Sequence, residues 1–228
     1  MEINADFSQR SLLHTSQLAW QDSPMKGVRR RVLDRVGDEV ARATTIVSYA
    51  PQSHFSPHVH TGGEEFIVLE GVFQDEHGDF PVGYYVRNPP QSSHTPRSDE
   101  GCIIFVKLWQ FDLADRQPVA IDMNTAPLTT DETRQGVQIN TLFRDARETV
   151  QLEQWQAGAT VSVDTRGGAE LLVLEGDFSE QGETVDTLSW LRLPVGAEFQ
   201  ATAGASGARV WIKTGHLRFA EEEKARLG

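Results

Sequence analysis

The run Val68-Leu69-Glu70-Gly71 returns as Val173-Leu174-Glu175-Gly176, and its surroundings return with it. At this offset of 105 residues, Gly62-Gly63 falls on Gly167-Gly168, Glu65 on Glu170, Phe73 on Phe178, Arg87 on Arg192 and Pro89 on Pro194. No gap is needed from Ser56 to His94, and a one-residue shift then sets Phe105-Val106-Lys107 on Trp211-Ile212-Lys213. Self-similarity at a fixed offset means that one supersecondary unit is used twice. A chain of 228 residues is therefore expected to fold as two copies of one unit, each of about 100 residues.

The unit is β. Thr44 to Tyr49, Phe66 to Leu69, Tyr84 to Val86 and Cys102 to Phe111 are short runs rich in β-branched and aromatic residues, separated by Gly, Pro, Asn and Asp. The one helix expected is the tail, Ala220 to Leu227, where Glu221-Glu222-Glu223 precede Lys224 and Arg226 as a helix dipole favours. The segment from Leu113 to Gln135 is polar, carries Pro118 and Pro127 and lacks alternation, so it reads as connection. The division expected is a first unit over 1–115, a linker over 116–135 and a second unit over 136–228.

Within the first unit, His58-Val59-His60-Thr61-Gly62-Gly63-Glu64 is followed by His94. Residues two apart on a strand project to one face, so His58 and His60 point the same way. Gly62-Gly63 permits a tight reversal that includes positive φ. Glu64 then opens the returning strand, and His94 arrives on a third strand after Pro89-Pro90. Three imidazoles and one carboxylate suit a divalent first-row metal. They could close a tetrahedral Zn site, or leave two positions open on an octahedral Fe or Mn centre. No cysteine is in the set, which excludes a zinc ribbon or an iron–sulfur cluster.

Repeat comparison isolates this set. At the 105-residue offset His58 becomes Val163, His60 becomes Thr165, Glu64 becomes Ala169 and His94 becomes Phe199. The turn, the hairpin and the proline persist, so fold explains what is shared and metal chemistry explains what differs. Asp164 and Arg166 stand one position out of register and would face the other way. The second unit is expected to have an apolar, metal-free interior.

Composition narrows the partners. A formal charge of -12 argues against nucleic acid, whose phosphates need clustered Lys and Arg. No window approaches 18 apolar residues, so no membrane span is expected. A single cysteine, Cys102, excludes an intrachain disulfide and fits a reducing compartment, and no secretory signal opens the chain, so a cytoplasmic protein is expected.

These motifs resemble those of the cupins. His58, His60, Glu64 and Gly71 match the first cupin motif; Gly83, Pro89 and His94 match the second, with Gln91 in place of its Gly and Ser98 in place of its terminal Asn. The spacing of six residues to Gly71 selects Glu64 over Glu65. More narrowly, residues 25 to 112 resemble the cupin domain of ChrR-type anti-sigma factors. The resemblance implies an all-β double cupin, two jelly-roll barrels with a short C-terminal helix, and one divalent metal on His58, His60, Glu64 and His94. Zn stands first, with Fe, Ni and Mn as alternatives. ChrR-type proteins also carry an N-terminal domain that grips the sigma factor and binds its own zinc through His and Cys; this chain opens on cupin-like sequence with Cys102 alone, so that domain is not expected in it. Three functions follow from the resemblance: a regulatory metal-binding double cupin, an Fe(II)-type cupin dioxygenase acting on a small organic substrate, or a metal-stabilised small-molecule binding module. The partners compatible with them are a small-molecule ligand, a regulatory protein and a second copy of the chain.

Overall fold

The computed structural model, which describes residues 1–227, expresses the repeat as two β units with matching strand order. One unit comprises Met1–Ala5, Leu18–Thr125 and the residues from Glu222 on; the other comprises Asp6–Gln17 and Ala126–Glu221. In the first, the strands run in the order Glu2–Ile3, Val28–Gly37, Ala41–Tyr49, Cys102–Leu108, Glu64–Asp75, Tyr84–Asn88 and Val119–Asp122. In the second, the order is Thr129–Thr130, Val137–Arg144, Thr149–Trp155, Ala201–Thr214, Ala169–Glu180, Ser189–Leu193 and Ser11–His14. Every neighbouring pair is antiparallel.

The two orders agree position by position, but their last strands have different sources. Val119–Asp122 follows its unit in sequence, whereas Ser11–His14 comes from the N-terminus and pairs Ser11 with Arg192 and His14 with Ser189. The expected linker is itself built into sheets: Val119–Asp122 lies on Tyr84–Asn88, and Thr129–Thr130 lies on Val137–Arg144. The boundaries therefore differ from the expected 1–115 and 136–228 at both chain ends. A four-residue edge strand such as Ser11–His14 carries too little pattern to announce its partner. The tail helix spans Ala220–Ala225, and Glu223 Oε2 accepts from Arg42 Nε at 2.9 Å with both residues buried in the first unit.

Glu64–Asp75 organises the first unit because both its faces are covered. On one face Phe66, Val68 and Phe73 join Val47, Ile104 and Val106 in an apolar core; each such side chain contributes about 1.5–3 kcal/mol by leaving water. On the other face Glu65 lies directly between Arg87 and Lys107 on the flanking strands, all three being buried. The second unit repeats that row as Arg192, Glu170 and Lys213. The Arg and Glu shared by the two halves are thus architecture. Arg87 is further paired with Asp115.

In the second unit the positions matching the imidazoles are packed with carbon. Phe199, Ala169 and Val163 join the cluster around Val173, Phe178 and Val210, and the Phe178 and Phe199 rings lie 6.3 Å apart. Thr165 turns its hydroxyl onto the Ala197 carbonyl at 2.5 Å. Among the described residues, no helix is long and apolar enough to cross a membrane.

Candidate metal centre

His58 and His94 are direct cross-strand partners. The short strands His58–Val59 and Ser93–His94 form their own two-stranded ladder, with His94 opposite His58 and Ser93 opposite Val59. His60 continues the chain and is tied to the same loop by its backbone N–H on Ser92 O at 2.9 Å and by Gln91 N–H on its own carbonyl at 2.9 Å. The result is a triangle of imidazoles whose ring centroids are 4.6 Å (His60–His94), 4.9 Å (His58–His94) and 5.0 Å (His58–His60) apart. One nitrogen from each of the three lies within 4.8 Å of the others, a spacing one cation could bridge.

Glu64 completes the cluster. Its Oε2 is 3.5 Å from His60 Nε2 and 3.7 Å from His94 Nε2, and it accepts from Asn88 Nδ2 at 3.1 Å. Glu65 points away, where its Oε2 accepts the Tyr85 hydroxyl at 2.7 Å. Alternation along one strand therefore separates the two carboxylates. The turn before Glu64 is forced by its surroundings. Gly63 has φ of 79°, and a Cβ there would sit 2.5 Å from the Phe111 ring. Tyr85 faces the buried charged row and not the imidazoles.

Two details mark the cluster as a place for an ion. The Nε2 atoms of His60 and His94 are buried without a hydrogen-bond partner, and leaving such atoms unpaired is costly. Meanwhile the outer nitrogens are engaged: His94 Nδ1 lies 3.1 Å from Asp75 Oδ2, and His58 Nδ1 lies 3.2 Å from Ser56 O. With Nδ1–H donated to Asp75, His94 presents its Nε2 lone pair to the cluster, as metal-bound imidazoles do. Burial pushes His60 below the ordinary histidine range, against the Glu64 charge. Burial also acts downward on His94, but the Asp75 hydrogen bond and the charges of Glu64 and Asp75 prevail and raise it. The donor set, nitrogen and carboxylate oxygen, fits a divalent first-row ion.

Sequence reasoning missed Asp75 and Asn88. Asp75 lies far along the strand that Glu64 opens, and only the return of residues 93–98 brings it to His94. Nothing in linear spacing announces that. His54 stands on Ser53–His54, exposed at the rim. Cys102 is buried, and burial pushes its thiol up to about 11, so it is inert at neutral pH.

A cavity of about 650 Å³ opens over the cluster, with His58, His60 and Glu64 in its wall beside Tyr49, Phe55 and Trp109. That volume suits a small organic molecule.

Residues 8–112 match the sequence model of the family described as ChrR Cupin-like domain. No curated protein matches the chain in sequence. Among solved structures, a dioxygenase candidate from Nostoc punctiforme is similar with a TM-score of 0.78 at 15% identity, over 92% of this chain and 84% of that one. A cupin 2 conserved barrel domain protein from Leptotrichia buccalis is similar with a TM-score of 0.61 at 11% identity, over 89% and 95% of the two chains. The pirin YhhW of Escherichia coli in complex with nickel(II) reaches 0.60 at 12% identity, over 90% and 98%. At these identities the likeness is one of fold: the chain is an all-β protein with the cupin architecture, and residues 8–112 are similar to the ChrR cupin-like domain.

Proposed function

We propose that this chain is a metal-dependent cupin in which His58, His60, Glu64 and His94 hold one divalent ion, and a small organic molecule reaches that ion through the cavity. The observation that carries this reading is the 650 Å³ cavity whose wall includes His58, His60 and Glu64. A closed four-ligand structural site has no use for such access. The class we assign is an oxidoreductase of the cupin dioxygenase type, with Fe(II) as resident metal; the Nostoc punctiforme dioxygenase candidate supports it as a fold relative. A bound ferrous ion would supply redox chemistry and Lewis acidity. The chain's own residues supply position: Asp75 fixes the ring of His94, Asn88 fixes the carboxylate of Glu64, and Phe55 and Trp109 give the approach an apolar lining.

A second reading rests on the ChrR-like match over residues 8–112. In it the same four residues hold Zn, and a ligand entering the cavity changes the coordination and so the affinity for a regulatory partner. Zn does no redox chemistry itself. The single buried cysteine suits a cytoplasmic setting under either reading.

Elemental analysis of protein purified without added metal, followed by oxygen-uptake assays on a panel of diketones, thiols and organic acids, tests both. Iron with substrate-dependent uptake is the expected result. Stoichiometric zinc without uptake would replace the enzyme by the sensor, and absence of any metal after reconstitution would remove both.

A further inference from the structure

The cavity over the imidazoles carries a second chemical feature, on the strand Val28–Gly37. That strand pairs with Ala41–Tyr49 through a register shift between Val32 and Asp34. Before the shift Arg30 lies opposite Val47; after it Arg35 lies opposite Ala43. Val47 and Ala43 sit an even number of residues apart and so share one face of their strand. Without the bulge, Arg30 and Arg35 would project to opposite faces. With it, both residues line the cavity.

Both are half-buried, and their local chemistry is incomplete. Arg35 donates only to backbone carbonyls, Nε to Gly37 O at 3.2 Å and Nη2 to Asp38 O. Among the described residues the Arg30 side chain makes no hydrogen bond and neither arginine forms an ion pair. Asp34, next to Arg35 in sequence, is ion-paired with Arg42 at 3.8 Å, Asp38 is held by the amino terminus at 2.6 Å, and Glu39 lines the cavity without pairing to either arginine. Burial and the neighbouring Arg30 charge push Arg35 below its ordinary value, with Asp38 opposing. The acids in the cavity wall, Glu39 and Glu64, form no ion pair with either arginine, so the two like charges there are available to an anion. The planar forks of two arginines match a carboxylate. The same cavity is lined by Val47, Tyr49, Phe55, Val106 and Leu108, an apolar surface broken by Thr45.

We infer that the cavity binds a small organic acid: Arg30 and Arg35 hold its carboxylate, and its apolar body lies along the wall toward His58, His60 and Glu64. The inference rests on the proposed metal-dependent reading only for what the far end of the ligand meets. The carboxylate site itself needs only the two arginines and the wall.

Isothermal titration of the full-length protein, metal-free and metal-loaded, with 3-phenylpropionate, 3-phenylpropionamide and phenyl phosphate is the test. The acid is expected to bind at least about tenfold more tightly than the amide, as charge-assisted hydrogen bonds dictate. Arg30→Gln and Arg35→Gln should each weaken the acid about tenfold while leaving the amide and the metal content unchanged. Arg30→Lys, which keeps the charge but loses the fork, should fall between wild type and Arg30→Gln. Equal binding of acid and amide, indifference to both arginine substitutions, tighter binding of the phosphate, or no binding of any probe would overturn the assignment. A protein that takes up no metal but keeps the arginine-dependent preference for acid retains this site and loses the metal reading. A protein that binds metal yet treats acid and amide alike does the reverse.

Discussion

His94 and Asp75 are joined through Nδ1 and Oδ2 at 3.1 Å, which turns His94 Nε2 toward His58 and His60. Asp75 lies below the ordinary carboxylate range: burial opposes this, but the hydrogen bonds from His94 and the His77 N–H outweigh it. The pair resembles the carboxylate–imidazole supports found behind metal ligands.

Asp75→Asn should keep the fold and lower metal affinity about 10- to 100-fold, the range for losing such a support. His94→Ala should abolish stoichiometric metal altogether. Competition against a chromophoric chelator reads both. An Asp75→Asn variant with unchanged affinity would remove Asp75 from the site.

The adjacent carboxylates Glu64 and Glu65 should separate by phenotype. Glu64→Gln removes a charge that faces two imidazoles and is expected to reduce metal uptake with little effect on stability. Glu65→Gln disturbs the buried row with Arg87 and Lys107, and should cost about 3–5 kcal/mol of stability. In the metal-free protein, urea titration should show the loss for Glu65→Gln only. Elemental analysis should show the metal deficit for Glu64→Gln, with Glu65→Gln still loading metal while folded. The opposite pattern would reverse the assignment made from spacing and side-chain direction.

Phe199→His should not transfer metal binding to the second unit. Its neighbours Val163, Thr165 and Ala169 offer no imidazole or carboxylate, and an imidazole placed among Phe178 and Val210 would be buried without partners. The expected outcome is a loss of about 1–3 kcal/mol in stability with metal stoichiometry unchanged. A second equivalent of bound metal would contradict the reading of this interior as packed carbon.

Removing residues 1–17 takes Ser11–His14 from the edge of the second unit. Backbone amides of Ser189–Leu193 should then exchange faster with deuterium, while those of Cys102–Leu108, between two long strands of the first unit, keep their protection. Unchanged exchange at 189–193 would mean that the N-terminal strand does not hold that edge.

The sequence exposed some of these relationships and hid others for physical reasons. Period two in His58 and His60, and the Gly62-Gly63 reversal, were readable because they depend on residues next to one another. The repeat revealed the shared hairpins because both copies fold under the same constraint. Asp75 and Asn88 were hidden because their closeness to His94 and Glu64 depends on which strands pair. The Val32/Asp34 bulge was hidden because a register shift is a property of two strands and leaves no mark in either alone. Ser11–His14 was hidden because four residues at an edge need only one apolar side.

The route of the N-terminal strand sets a schedule for making the protein. Ser11–His14 is synthesised well before its partner Ser189–Leu193. At ordinary synthesis rates the strand waits roughly ten to forty seconds with its ladder groups unmatched. The first unit waits as well, since Arg42 meets Glu223 only after the second unit has been synthesised. Completion of the two units is thus interleaved, and a pause in synthesis between residues 193 and 223 would leave the first of them open.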